Sequence, residues 1–231
     1  MKISTVKEIK EFLHDVNGKI LYLFDIDNTI ITTYTNFGFN IDKLKVIRQQ
    51  QPYNKEYIDH LISDWRITRD ALLTDDKWPE FLKTIEQPYA LTKMDVGCIG
   101  KITSMEQWRN NELCNLEIKF SSIYPIDGKI YSEPKAIGVE NSTFFNGIFY
   151  TGDARKGDVV KKILSHNRYD LVIFIDDRIE QLEDVKYGCL EAGVEYIPMH
   201  FILNSHHSRK QSLAEVKAEA EIMKFLNLNP L

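Results

Sequence analysis

Two patterns of apolar and polar positions take turns along the chain. The first repeats at helical spacing. Val6, Ile9, Leu13 and Val16 predict a helix over residues 5–16, with Ser4 or Thr5 at its cap and Gly18 past its end. The second is a continuous apolar run. Ile20 to Phe24 (ILYLF) and Leu171 to Ile175 (LVIFI) show no alternation, as expected of strands buried on both faces in a parallel sheet. Shorter runs at Tyr89 to Leu91, Ile148 to Tyr150 and Val194 to Ile197 predict further strands. Helical patterns fall between them. Trp78, Phe81, Leu82 and Ile85 mark one, with Asp75 or Asp76 as cap and Pro79 in its first turn. Val159, Val160, Ile163 and Leu164 mark a second. Ile179, Leu182, Val185 and Cys189 mark a third, ended by Gly193. Leu213, Val216, Ile222 and Met223 mark a last helix, from Ser212 to about Leu226, expected to dock on the core. Strands alternating with helices predict the α/β class: a Rossmann-like parallel sheet with right-handed crossovers and helices on both faces.

Two stretches break the alternation. Residues 31–75 carry helical periodicity (Leu61, Ile62, Trp65, Leu72) without a buried strand. Residues 121–147 are irregular, with Pro125, Gly128, Pro134, Gly138 and Gly147. The expected organisation is therefore a core of residues 1–30 and 76–231, a small helical insertion over 31–75, and a second small insertion over 121–147.

Composition narrows the class. With 231 residues, 43% apolar and 27% charged, the chain has room for one folded domain and an insertion. Its net charge of −5 offers no basic excess for phosphate backbones, so nucleic acid is not an expected partner. Cys98, Cys114 and Cys189 are odd in number and widely spaced, which suits reduced thiols. The N-terminus lacks a signal-peptide core, and no apolar run is long enough to span a bilayer, so a cytosolic-type protein is expected. Oligomeric state is not readable from these features.

The chemistry follows the apolar runs. Asp25-Ile26-Asp27-Asn28-Thr29 begins where the first run ends, at the strand edge where open α/β sheets place their ligands. D-x-D-x-T alone arises by chance in about one chain in thirty; four preceding apolar residues reduce that to roughly one in a thousand. A strand terminator whose aspartates cap the next turn is the plainer reading. The second run weakens it by ending in Asp176-Asp177, a pair that repels unless a cation intervenes.

These residues resemble the haloacid dehalogenase (HAD) superfamily of phosphohydrolases, whose four motifs occur here in order. Asp25-Ile-Asp27-Asn-Thr29 resembles the first, Thr92 the second, Lys156 before Gly157 the third, and Asp176-Asp177 the fourth. The resemblance spans roughly residues 20–200. It excludes phospho-receiver domains, which place their acidic pair before the nucleophile. The second acid, Asp27, separates the chain from the dehalogenases. Transporting ATPases of the superfamily need membrane helices, which are missing here.

What the resemblance implies is a Mg²⁺-dependent phosphomonoester hydrolase with a small helical cap. Asp25 would be the nucleophile, forming an aspartyl-phosphate, and Asp27 the acid and base. Asp25, Asp176, the Asp27 carbonyl and, through water or a neighbouring ligand, Asp177 would hold Mg²⁺. Thr92, Lys156 and the Asn28 amide would bind phosphate. The opening helix and Phe144-Phe-Asn-Gly-Ile148 resemble a subgroup from intracellular bacterial pathogens. That suggests an effector secreted into a host cell without a cleavable signal peptide, acting on a phosphoprotein, phosphotyrosine above all. The alternatives are a nucleotide or sugar phosphatase, and a phosphate-binding or protein-interaction module with vestigial activity.

Substrate selection would fall to residues 31–75, with Tyr34, Phe37, Phe39, Arg48, Tyr53, Tyr57, Trp65, Arg66 and Arg69. Aromatics beside cations could stack an aryl group next to a phosphate. The favoured reading is that Trp65 and its neighbours form the insertion's own core. His206-His207 reads as part of a solvated loop. A cysteine-phosphatase loop, C-x₅-R, is excluded because Ser104, Phe120 and Glu195 occupy its arginine positions.

Overall fold

The computed structural model describes residues 1–33, 37–203 and 211–229, with the side chain of Phe39 also left aside. Tyr34 and His206-His207 lie outside the described residues. In chain order the elements are β1 (Lys2–Ile3), α1 (Val6–Leu13), β2 (Ile20–Phe24), β3 (Ile31–Thr32), α2 (Gly38–Gln50) and α3 (Lys55–Thr68). There follow β4 (Leu72–Leu73), α4 (Trp78–Thr84), β5 (Tyr89–Thr92), α5 (Met105–Asn115), β6 (Lys135–Ala136), β7 (Thr143–Phe145) and β8 (Ile148–Tyr150). The chain closes with α6 (Lys156–Leu164), β9 (Leu171–Asp176), α7 (Ile179–Ala192), β10 (Glu195–Phe201) and α8 (Leu213–Leu228).

Two compact units emerge. The core unit comprises Met1–Thr32, Leu73–Val96 and Arg109–Asn204; the second comprises Thr33–Leu72, Gly97–Trp108 and Ser205–Leu231, within the described residues. This redraws the expected division. The insertion is not residues 31–75 alone, because residues 97–108 and the last helix join it. The reason is visible in the packing of α8, which lies on α3 and α2, with Tyr57 and Phe225 rings 5.5 Å apart.

The core unit is an α/β fold. Its eight-stranded sheet runs β1-β10-β9-β2-β5-β8-β7-β6, parallel from β1 to β8 and antiparallel beyond. The central strands follow from the two continuous apolar runs: every residue of β9 is buried, and it pairs with β2 from Ile20↔Leu171 to Phe24↔Ile175. Helices cover both faces, as expected. On one, Phe24 meets Trp78 and Phe81 edge-on at 5.9 and 6.3 Å. On the other, Leu21, Leu23, Val172 and Phe174 pack with Val159, Val160 and Ile163 of α6 and Leu182 and Val185 of α7.

Residues 121–147 are not a separate insertion, since β6 and β7 extend the core sheet at its edge. Phe144 to Ile148 forms a hairpin: Phe145 pairs with Ile148 across Asn146 (φ 47°) and Gly147 (φ 82°), a two-residue turn that needs left-handed backbone at both positions. The expected aspartate cap of α4 also differs. Lys77 takes the cap position, while Asp75 accepts from the amides of Lys77 and Val6, tying the starts of α4 and α1. No described helix is long and apolar enough to cross a membrane.

Candidate functional site

The site grows from the sheet order. The chain passes from β2 to β5 and β8 on one side, then returns to place β9 and β10 on the other, so β2 flanks the switch point where open parallel sheets bind ligands. Asp25 follows β2, Asp176 ends β9 and Thr92 ends β5, all at that edge. The Asp25 amide continues the ladder by donating to the Ile175 carbonyl at 2.8 Å, which fixes the first acid beside the second strand's end.

Lys156 joins them. It is the first residue of α6 and is buried. Its Nζ donates to Asp25 Oδ1 at 2.6 Å and to Asp176 Oδ2 at 2.7 Å. The helix start is held in place from α7, where Asp184 accepts from the Gly157 amide at 3.0 Å and from Arg155 Nε at 2.7 Å. Asp176 also accepts the Arg178 amide on Oδ1 at 2.7 Å, so both of its oxygens are oriented. His200, which carries no signal in the sequence, places Nε2 3.0 Å from the Asp177 carbonyl and so donates to it.

One carboxylate oxygen each from Asp25, Asp176 and Asp177 lie within 4.8 Å of one another. Three acids so close, met by the Lys156 ammonium and, at Asp177, by the Arg178 charge, are still short of positive charge. Burial first, and then the neighbouring carboxylates, push Asp25 well above the usual range despite Lys156. Burial and Asp176 push Asp177 up to about 7. Burial alone would lower the Lys156 ammonium, but Asp176 and Asp25 outweigh it and hold it above its ordinary value. An all-oxygen set with this charge deficit fits a hard divalent cation.

Thr92 is buried at the end of β5, and its carbonyl accepts from the Thr151 amide at 3.0 Å. Asn28 departs from expectation. Its backbone, at φ 62°, turns the chain; its amide donates to the Ile31 carbonyl at 2.6 Å and its side chain accepts from Thr32 Oγ1 at 3.1 Å. The amide expected to cradle phosphate is therefore spent inside the turn.

Asp27 also stands apart from the acid cluster. Both its oxygens accept from Arg109 Nη2, at 3.0 and 2.7 Å. Sequence reasoning missed Arg109. The only local signal was Arg109 and Glu112 at helical i, i+3 spacing, which ordinarily marks a solvated pair. Its partner lies 82 residues away, out of reach of any local pattern.

The aromatic and cationic residues of the second unit form that unit's own core. Trp65 is buried, 5.9 Å from the Phe37 ring, with the Arg69 guanidinium 5.0 Å from its centroid; Arg66 and Arg69 both lie over Trp108. Arg48 pairs with Asp59 at 2.8 Å. Among the described residues of this set, Tyr53 and Tyr57 are the exposed aromatics.

No curated protein and no solved structure matches this chain. Residues 2–229 match one family model, described as "Protein of unknown function (DUF2608)", and the chain belongs to that family.

Proposed function

We propose that this protein is a Mg²⁺-dependent phosphomonoester hydrolase that works through an aspartyl-phosphate on Asp25. The observation that carries the reading is the buried Asp25 bonded to Lys156 beside Asp176 and Asp177, at the switch point of a parallel sheet. Asp25, Asp176 and Asp177 would hold Mg²⁺, with the Asp27 carbonyl, and the bound ion would neutralise charge on the transferring phosphoryl group.

The chain's own groups do the rest. A carboxylate oxygen of Asp25 attacks phosphorus. The ester P–O bond breaks with its electron pair on the leaving oxygen, which takes the proton of Asp27. Water then attacks the phosphorus and gives its proton to Asp27; the Asp25–phosphorus bond breaks and inorganic phosphate departs. Lys156 holds Asp25 in place and offsets its charge against the incoming dianion. Thr92 supplies a hydroxyl to a phosphate oxygen. The substrate classes consistent with this chemistry are a phosphoprotein, with phosphotyrosine foremost, and a small phosphorylated metabolite.

The test is turnover of p-nitrophenyl phosphate with Mg²⁺. Asp25→Asn lowers it by on the order of 10³-fold or more while leaving the thermal midpoint intact, and excess chelator silences the wild type. Beryllium fluoride with Mg²⁺ stabilises the wild type and not Asp25→Ala. Wild-type protein that turns over no phosphomonoester overturns the reading in favour of a binding module. A panel of phosphotyrosine peptides, sugar phosphates and nucleotides assigns the leaving group; turnover of metabolites alone removes the protein-phosphatase reading.

A further inference from the structure

Arg109 is one of the largest fully buried side chains in the chain, and it is a cation. A guanidinium is kept out of water only where carboxylates replace its hydration. Two do so here. Nη2 forks onto both oxygens of Asp27, and Nη1 donates to Glu112 Oε2 at 2.6 Å, one turn along α5. Nε faces Met94 Sδ at 3.5 Å. Glu112 is itself largely buried, so the far end of the guanidinium is pinned and the near end cannot swing. The Asp27 carboxylate, by contrast, is 46% exposed while the arginine beneath it is 0% exposed. The acid is gripped from its buried side and is partly exposed. It also lies close enough to Asp177 to raise that carboxyl.

Resting on the phosphatase reading, we propose that Arg109, braced by Glu112, is the positioning residue that aims Asp27 at the leaving-group oxygen. Nη2 lies nearer Oδ2, at 2.7 Å, than Oδ1, at 3.0 Å, so the shorter bond anchors the carboxylate and the longer one yields when Oδ1 carries the proton. In the first step that proton passes to the departing oxygen as the ester P–O bond breaks, and in the second Asp27 recovers one from the attacking water. Arg109 touches neither phosphorus nor leaving group; its effect runs through the orientation of Asp27. Without the fork, the Asp27 carboxylate loses the two hydrogen bonds that set its direction, and proton delivery loses geometry with them.

The experiment measures kcat/KM across aryl and alkyl phosphates of rising leaving-group pKa, from dinitrophenyl through phenyl to alkyl, for wild type, Arg109→Gln, Asp27→Asn and the double variant. A good leaving group departs without a proton and a poor one does not. Arg109→Gln should cost the poorest leaving group about 10²-fold and dinitrophenyl phosphate less than about threefold. Asp27→Asn should steepen the dependence in the same way, and the double variant should be no worse than Asp27→Asn. Arg109→Lys, which keeps the charge and loses the fork, should fall between and serves if Arg109→Gln does not fold. Equal losses across the series, or losses that multiply in the double variant, overturn the positioning role while leaving the phosphatase reading intact. A wild type inactive on every ester removes the parent reading and this one with it.

Discussion

Asn28 shows how one residue can sit in the right motif and do a different job. Its left-handed backbone and its hydrogen bonds with Ile31 and Thr32 make it the hinge of the turn that follows Asp25. Glycine adopts that conformation without strain, whereas an alanine costs roughly 1–2 kcal/mol. Asn28→Gly should therefore keep near-wild-type stability and KM, and Asn28→Ala should lower stability by about that amount in urea melts. At this scale, legibility tracks distance from a strong local signal. Asp25, Asp176 and Asp177 adjoin the two most apolar runs, so their location at a strand end was readable. Asn28 was readable as a motif member and not as a turn, because nothing in the residue type states where its amide points. Arg109 was not readable, since its meaning depends on Asp27 and on no neighbour in sequence.

Among the elements, α6 and α7 make the closest approach that positions the site. Gly157 and Gly188 face each other, and a methyl group added at Gly188 would lie 2.2 Å from the Gly157 carbonyl oxygen. That atom is backbone, so the helices would have to separate. Because Lys156 opens α6, any separation moves its ammonium away from Asp25 and Asp176. Gly188→Ala should destabilise the core unit by about 1–3 kcal/mol and, on the proposed phosphatase reading, lower turnover of the still-folded protein. Chemical denaturation beside kcat measured well below the midpoint separates the two effects. The strands β2 and β9 and the helices α1, α6, α7 and α8 were legible because their patterns are long and strong. β1 and β6, two residues each, are too short to show a period. α5 was missed because residues such as Arg109 and Asn110 interrupt its apolar pattern. The periodicity of α8 revealed a helix and not its destination, since an apolar stripe does not name the surface it covers.

Over the whole molecule, the net charge of −5 has a concentrated part, in which Asp25, Asp176 and Asp177 outnumber Lys156. Asp177 is raised to about 7, and Asp25 is raised with it, mainly by burial. A carboxyl raised on folding favours the native state while protonated, and that contribution is lost as pH climbs through its folded pKa. The metal-free protein should therefore lose thermal stability from about pH 4 to about pH 7, and Mg²⁺ should restore more at the upper end. Asp177→Asn should flatten that slope in thermal melts; a slope unchanged by it would contradict the charge deficit. The order of the central sheet carries a different implication, for synthesis. β2 is made early, but its neighbour β9 comes from residues 171–176. Until those residues leave the ribosome, one side of an apolar strand offers its amides and carbonyls to any passing chain. The nascent protein thus holds Asp25 beside an open edge, and a fragment ending near residue 150 would expose an adhesive strand where the finished protein has a closed, buried sheet centre.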